Sequence, residues 1–316
     1  MRPVFVFLRH PPSLPFVKVH MAGFVLSIIM VLASIGLLAT KGLNFGIDFR
    51  GGIVMEVKNP KGPVDLEAMR AKLNGLGLGD VSLQTFGAPD DVLIRLQRQP
   101  GGDEVQNLAA NKVRTTLGSA YDYRRTEVVG PTVGAELIHA GTEATILAMI
   151  AISIYVWFRF KWQFGLGAIV STFHDVITTL GLFSLLQLDF NLPTIAAILT
   201  VAGYSINDTV IIYDRVRETL RKYKTMEMGK LIDLALNETL SRTTMTAAVT
   251  ALAVLALLLF GGAVIRSFSA AMLWGIVVGT YSSLFVAAPM LLYFKPERTG
   301  KEAAKAASAP APSTKG

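Results

Sequence analysis

Two ionisable residues, Asp208 and Arg242, stand inside or at the edge of long apolar runs of the sequence. A charged side chain in hydrocarbon is costly, so such residues are functional candidates by default. Asp208 comes late in a run that starts at position 191, which places it roughly 25 Å deep at the helical rise of about 1.5 Å per residue. Arg242 stands just before the next apolar run. That run enters the membrane from the same side on which the run of Asp208 leaves it. We therefore expect the two side chains to lie at similar depth and to pair.

Such a pair can work as a proton switch. Burial favours the neutral form of a carboxylate, whereas a nearby guanidinium favours its ionised form, so a movement of the arginine or the entry of water can load or unload one proton. Arginine keeps its proton in proteins, so Asp208 is the titrating member. One proton crossing the membrane field yields about 2.3 kcal/mol per 100 mV, enough to bias a conformational change. The alternative interpretations are a static ion pair and an Asp208 that faces a lipid-headgroup defect.

Four further polar residues lie in these apolar runs: His174, Asp175, Tyr204 and Asn207. His174 and Asp175 fall about halfway along one run, and Tyr204 and Asn207 share the segment of Asp208. We expect all four to support the proton site. For His174 and Asp175 an alternative stays open, in which His174 only forms a hydrogen bond within the helix bundle.

The composition of the whole chain agrees with a membrane protein. Its 316 residues are 52% apolar and 17% charged, with a mean hydropathy of +0.48 and no cysteine. Soluble globular chains are about 45–50% apolar and about 25% charged. This composition excludes an ordinary soluble enzyme, a disordered chain and a disulfide-stapled secreted domain.

The sequence contains no His-Glu-x-x-His, no phosphate loop and no Gly-x-Ser-x-Gly, the motifs of zinc hydrolases, nucleotide-binding proteins and serine hydrolases. We therefore expect no enzymatic activity, no metal site and no cofactor. The coupling ion that we expect from the pair of Asp208 and Arg242 is the proton.

Six apolar runs are long enough to cross a membrane, for which about 20 residues are needed. The first run is too long for the apolar core of a signal peptide, so we interpret it as a retained span. The predicted fold is a six-span α-helical membrane protein. Its spans cover about 20–40, 137–158, 163–186, 191–213, 243–262 and 268–293.

The basic residues predict the orientation of these spans. Lys and Arg outnumber Asp and Glu in residues 1–19, in the loop 215–242 and in the tail 295–316, whereas the block 41–134 is nearly neutral. Cytoplasmic segments of membrane proteins carry the excess of Lys and Arg. Both termini and the loop are therefore predicted to be cytoplasmic. The net charge of +7 reflects which side of the membrane these segments occupy. We expect no nucleic acid as partner.

The block 41–134 has the length and pattern of a small extracytoplasmic domain. Alternating apolar residues and helical stripes follow one another as strand-helix-strand twice, which predicts a ferredoxin-like α+β fold.

The remaining segments are predicted from their hydropathy and composition. After the first transmembrane helix, 20–40, spans two to six form a five-helix bundle over 135–294. The amphipathic part of the loop 215–242 predicts an interfacial helix on the inner leaflet, and the composition of 295–316 predicts a disordered tail.

A stripe of small residues in the last span, Ala271, Gly275 and Gly279, recurs at four-residue spacing. Small residues at this spacing are typical of close helix packing in membranes.

Five segments in this order resemble one family closely. They are Gly46-Ile47-Asp48-Phe49-Arg50-Gly51-Gly52, His174-Asp175-Val176, Val201 to Thr209, Asp214-Arg215-Val216-Arg217-Glu218 and Leu240-Ser241-Arg242-Thr243. They are similar to the SecF members of the SecD/SecF family, which belong to the bacterial Sec protein-export machinery and are related to the resistance-nodulation-division exporters. The resemblance covers about residues 20–295.

The resemblance implies a location in the bacterial inner membrane and a role in export driven by the proton-motive force. It implies pairing with SecD, work at the SecYEG translocon on a translocating polypeptide, and YajC as a further candidate partner. The family's functional aspartate and arginine fall on Asp208 and Arg242. Two other functions stay open, a half-size proton-driven exporter of small molecules or lipids and a scaffold subunit without energy coupling.

Overall fold

A computed structural model describes residues 13–79, 81–86, 88–294 and 296. Within these residues, six helical segments are long and apolar enough to cross a membrane, which confirms the predicted six-span fold. In chain order they are α1 (Phe16–Thr40), α5 (Pro131–Arg159), α6 (Trp162–Leu186), α7 (Leu192–Lys222), α8 (Met228–Phe260), and α9 (Gly262–Ser282), which continues through a π-helical turn (Ser283–Ala287) into α10 (Ala288–Phe294). The tail 295–316 lies outside the described residues except for position 296.

A small domain between α1 and α5 has the predicted α+β fold. Its elements are β2 (Gly52–Lys58), α3 (Leu66–Asn74), β3 (Val81–Phe86), β4 (Ala88–Leu96), α4 (Asp103–Leu117) and β5 (Asp122–Val129). The antiparallel sheet has the order β3-β4-β2-β5, which is the ferredoxin-like arrangement.

Apolar and polar side chains alternate along the strands of this domain, and the apolar side chains determine which face of the sheet the helices cover. Ile53, Met55 and Val57 of β2 are fully buried because every second side chain of a strand points to the same face, here the face packed with α3 and α4. The carboxylate of Asp65 caps α3 by accepting the backbone N–H groups of Glu67 and Ala68, which satisfies two donors that the first helical turn leaves free.

A short junction connects this domain to the membrane helices. The two-residue strands β1 (Asn44–Phe45) and β6 (Asp189–Phe190) pair in parallel, and the one-turn helix α2 (Ile47–Arg50) follows β1. The Asp48 carboxylate accepts the backbone N–H of Leu192 at the start of α7. The segment that leaves the first span is therefore fastened to the connection between α6 and α7.

Helices α7 and α9 pack closely through the small-residue stripe. A Cβ atom added at Gly275 would lie 2.2 Å from Cγ2 of Val201, and one at Gly279 would lie 3.2 Å from Cβ of Ser205. Ala271 is fully buried. Only glycine lets the two backbones approach this closely at position 275.

Residues 215–242 differ from the sequence prediction. They belong to α7 and α8, which are joined only by the segment 223–227. Leu231 and Leu236, on the apolar face of α8, are fully buried and share a core cluster with Phe16. The prediction of an interfacial helix is wrong, because this apolar face packs on other helices rather than on a lipid surface.

Candidate functional site

A buried polar network is centred on the carboxylate of Asp175, which has no exposed surface. Its Oδ2 accepts hydrogen bonds from Ser205 at 2.5 Å and from Ser282 at 2.8 Å. Its Oδ1 lies 2.9 Å from Nδ1 of His174. Ser171 extends the network by donating to Ser282 at 2.8 Å. The carboxylate therefore joins α6, α7 and α9 inside the bundle.

His174 has capacity for one more polar contact. Its side chain is 5% exposed, and its Nε2 is buried without a hydrogen-bond partner among the described residues. The contact of His174 with Asp175 partly supports the alternative in which His174 only forms a hydrogen bond within the helix bundle.

Two further hydroxyl groups follow Ser205 along the same face of α7. Ser205, Thr209 and Tyr213 are spaced by four residues, so they lie one above another on the helix. The Thr209 hydroxyl lies 2.7 Å from that of Ser283, and the Tyr213 hydroxyl donates to the backbone carbonyl of Ala287 at 2.9 Å. Both partners belong to the π-helical turn, an irregularity that is frequent at functional sites.

Asp208 lies on a second face of α7, directed at α8. The residue is 6% exposed, and its Oδ2 is buried with no hydrogen-bond partner in the described part of the chain. Its electrostatic neighbours on α8 are Thr243 and Arg242. The Thr243 hydroxyl is likewise buried without a partner among the described residues. The site thus places a buried carboxyl oxygen and a buried threonine hydroxyl beside each other on facing helices.

Arg242 is near Asp208 but does not hold it in a salt bridge. Its side chain is exposed, and in the described ranges no carboxylate forms an ion pair with it. The geometry therefore differs from a closed static pair: the arginine can approach or leave the buried carboxylate.

The remaining sequence-predicted residues divide between the two faces of α7. Tyr204 is half-buried and faces Asp208 and Thr250. Asn207 is exposed and contributes to neither group. Asp208 and Tyr204 are thus brought together, whereas Asp175 and His174 form a separate cluster across the helix.

Sequence reasoning missed the hydroxyl partners of this site. Serine and threonine are common in membrane helices, so none of Ser171, Ser205, Ser282 or Ser283 stands out by type. The four-residue spacing of hydroxyl groups on α7 was the available signal. The matching serine pair in the last span marks the facing helix.

Six membrane helices with a buried carboxylate network and a small outer domain define a polytopic protein of the membrane-transport class. Two family models match the sequence: "Protein export membrane protein SecD/SecF, C-terminal" over residues 109–297 and "SecD/SecF GG Motif" over residues 36–58. The chain belongs to the SecD/SecF family. This confirms the resemblance carried by the five sequence motifs and an accessory role in Sec-dependent protein export.

Curated relatives named Protein translocase subunit SecF are similar to nearly the whole chain. The protein from Rickettsia rickettsii (strain Sheila Smith) is 46% identical over 293 residues, which cover 91% of this chain and 94% of the relative. The protein from Rickettsia bellii (strain OSU 85-389) is 48% identical over 285 residues, 88% of this chain and 92% of the relative.

Solved structures of SecDF share the fold. The crystal structure of the translocon-associated SecDF from Thermus thermophilus has a TM-score of 0.79 and 34% identity, over 93% of this chain and 40% of that chain. SecDF in its Super-membrane-facing form has a TM-score of 0.68 and 34% identity, over 96% and 41%. This chain thus spans about 40% of the length of SecDF.

Proposed function

We propose that this chain converts proton movement through its helix bundle into work on a polypeptide during Sec-dependent export. The observation that carries the proposal is Asp208, whose buried Oδ2 lacks a hydrogen-bond partner among the described residues and which has Thr243 and Arg242 of α8 as its electrostatic neighbours. Protonation changes the net charge of this pair. The balance between desolvation and attraction then favours different positions of α8 in the two protonation states.

The partner in this proposal is a SecD subunit. This chain matches 40% of the SecDF chain from Thermus thermophilus, so most of that chain has no counterpart here. A separate SecD supplying the remainder would cover the exposed outer side of α8, which includes Arg242 and large apolar residues such as Val249 and Leu252. The second transport carboxylate would then come from SecD.

Further partners follow from the family resemblance. We propose that the pair works at the SecYEG translocon in the bacterial inner membrane, with YajC as an additional subunit. Both termini are cytoplasmic in this proposal, and the small outer domain faces the emerging polypeptide. Protons are the proposed coupling ion, and no cofactor is required.

The deciding experiment replaces Asp208 by asparagine, which keeps the shape of the side chain and removes its charge. The variant is co-expressed with SecD and reconstituted in proteoliposomes. We expect loss of export stimulation and of proton flux with normal assembly. Asp214→Asn is the matched control, since Asp214 is about 44% exposed and pairs with Arg159 and Arg217 near the bundle end.

Three outcomes would decide against this proposal. Normal export and proton flux by Asp208→Asn and Arg242→Ala, together with loss of SecD when the whole chain is deleted, would indicate a scaffold subunit. Export of a small molecule or lipid by this chain without SecD would indicate a half-size exporter. Export stimulation that requires a sodium gradient would identify a different coupling ion.

A further inference from the structure

An open cleft of about 750 Å³ lies between the junction and the outer domain. Its floor is formed by β1 and the loop that follows it, and its wall by α3 and the ends of β3 and β4. The charged residues that line it are all arginines, namely Arg50, Arg70, Arg95 and Arg98, with no carboxylate in the described lining. Several positive charges on one small surface create a local potential that favours an anion.

Three of these arginines are free to bind a ligand. Arg95 forms a salt bridge with Asp189. For Arg50, Arg70 and Arg98, by contrast, the described part of the chain provides neither an ion-pair partner nor a hydrogen-bond acceptor. All three side chains are exposed. Guanidinium groups present several N–H donors in a planar fork that matches phosphate oxygens.

The backbone around the cleft keeps this surface open. Gly51 has a φ of +73°, and a Cβ atom added there would lie 3.4 Å from Cδ of Arg98 and 3.2 Å from the carbonyl oxygen of Val129. The left-handed conformation and the close approach both favour glycine. The Arg98 side chain therefore lies over the backbone of Gly51 at the rim of the cleft, where a larger residue than glycine would crowd it.

The cleft lies next to the end of the first membrane helix. Its floor, Asn44–Phe45, begins four residues after α1 ends and pairs with β6, which connects α6 to α7. Phe45 is 39% exposed beside the arginines. Phenylalanine is among the apolar side chains with which interfacial segments enter the boundary between headgroups and acyl chains.

Arginine in this position runs against the usual charge distribution. Near span ends, Lys and Arg concentrate on the cytoplasmic side, whereas the proposed orientation places Arg50, ten positions beyond Thr40, at the outer leaflet. A phosphate that the arginines hold would compensate for this unfavourable placement.

We propose that this arginine cleft binds the phosphate of an anionic phospholipid headgroup, with Arg50, Arg70 and Arg98 as its donors and Phe45 against the upper acyl chain. A lipid headgroup and a soluble phosphate both present phosphate oxygens to the arginines. The lipid is favoured over a soluble phosphate because the cleft opens at the level where the span ends and an aromatic side chain is exposed. The proposed orientation names the leaflet and makes the placement of Arg50 unusual, and neither point depends on Asp208.

The test measures retained lipid by native mass spectrometry of the full chain in detergent, with phosphatidylglycerol or phosphatidylcholine added. We expect the wild type to retain phosphatidylglycerol preferentially. The triple variant Arg50→Gln, Arg70→Gln, Arg98→Gln should bind it at least about tenfold more weakly, because it loses the charge-assisted hydrogen bonds of three guanidinium groups. The matched control is Lys61→Gln, Lys72→Gln, Lys112→Gln, which removes the same charge from exposed positions outside the cleft and should bind as the wild type does.

A second variant and a competing anion distinguish a lipid from a soluble phosphate and from a protein contact. A triple arginine-to-lysine variant keeps the positive charge and should bind phosphatidylglycerol with intermediate strength. It tests the same arginines if the glutamine variant does not fold. Equal lipid retention by the wild type and the glutamine variant would overturn the proposal. Displacement of the lipid preference by millimolar inorganic phosphate would assign the cleft to a soluble anion instead. Unchanged lipid retention with loss of SecD on co-purification would assign it to a protein contact.

Discussion

Ser282 donates a hydrogen bond to the carboxylate of Asp175 at 2.8 Å and thereby joins the last membrane helix to α6. Neither residue has exposed surface. The same serine accepts from Ser171, so the contact is one step of a continuous chain of hydrogen bonds. A buried carboxylate is costly unless polar groups surround it, and here Ser282 is one of the groups that hold Asp175 in place.

We predict that Ser282→Ala destabilises the bundle. The substitution removes one hydrogen-bond donor to the buried carboxyl group of Asp175, and leaving a buried acceptor short of a partner costs about 1–3 kcal/mol. Thermal unfolding of the full chain in detergent should show a lower midpoint. Thr200→Ala is the control, because the Thr200 hydroxyl is exposed and donates only to a carbonyl of its own helix. Equal midpoints for the two variants would contradict the prediction.

Gly275→Ala should disturb the packing of α7 against α9. The new Cβ would lie 2.2 Å from Cγ2 of Val201, and overpacking of this kind costs about 1–3 kcal/mol. Gly36→Ala is the control because a Cβ there meets nothing within 4 Å, and alanine favours a helix over glycine. The double variant with Val201→Ala should recover most of the lost stability. Failure of that rescue would argue against a direct clash as the cause.

The fold could be predicted largely from the sequence because hydropathy and alternation are local signals. Each span contains enough consecutive apolar residues to be found without its neighbours, and the β-α-β order of the outer domain follows from residue spacing. The start of α8 could not be predicted in the same way. An amphipathic stripe such as Leu231 and Leu236 fits a lipid surface and a protein surface equally well, and only the tertiary contact with Phe16 distinguishes them.

The site was predicted in part for a related reason. Asp208 and Asp175 stand out because carboxylates are rare in apolar segments, so their type alone marks them. Their partners are neutral residues from distant spans, and the sequence contains no signal that pairs Ser205 or Ser282 with Asp175. The sequence predicts that Arg242 pairs with Asp208 and can move relative to it, and the structure places Arg242 nearby without a salt bridge in the described region.

Asn237 should anchor the beginning of α1 to α8. Its side chain accepts from the backbone N–H of Leu14 and donates to the carbonyl of the same residue, both at 2.9 Å. Asn237→Ala removes both bonds, each worth about 0.5–1.5 kcal/mol, and should increase hydrogen exchange at the start of α1 while the outer domain is unaffected. Thr246→Ala on the same helix, where the hydroxyl donates only to the carbonyl of Arg242, serves as control. Unchanged exchange in the asparagine variant would contradict the anchor.

The salt bridge between Arg95 and Asp189 should set the position of the outer domain relative to the membrane helices. Both side chains are about 31% exposed, so its contribution to the free energy of unfolding should be small, about 0–1 kcal/mol. Its effect on orientation should be larger, because it links β4 to the connection between α6 and α7. Arg95→Asp and Asp189→Arg should each broaden the distance distribution between spin labels on the outer domain and on the bundle. The double exchange should restore the wild-type distribution, whereas equally broad distributions in all three variants would show that other contacts at the junction hold the domain.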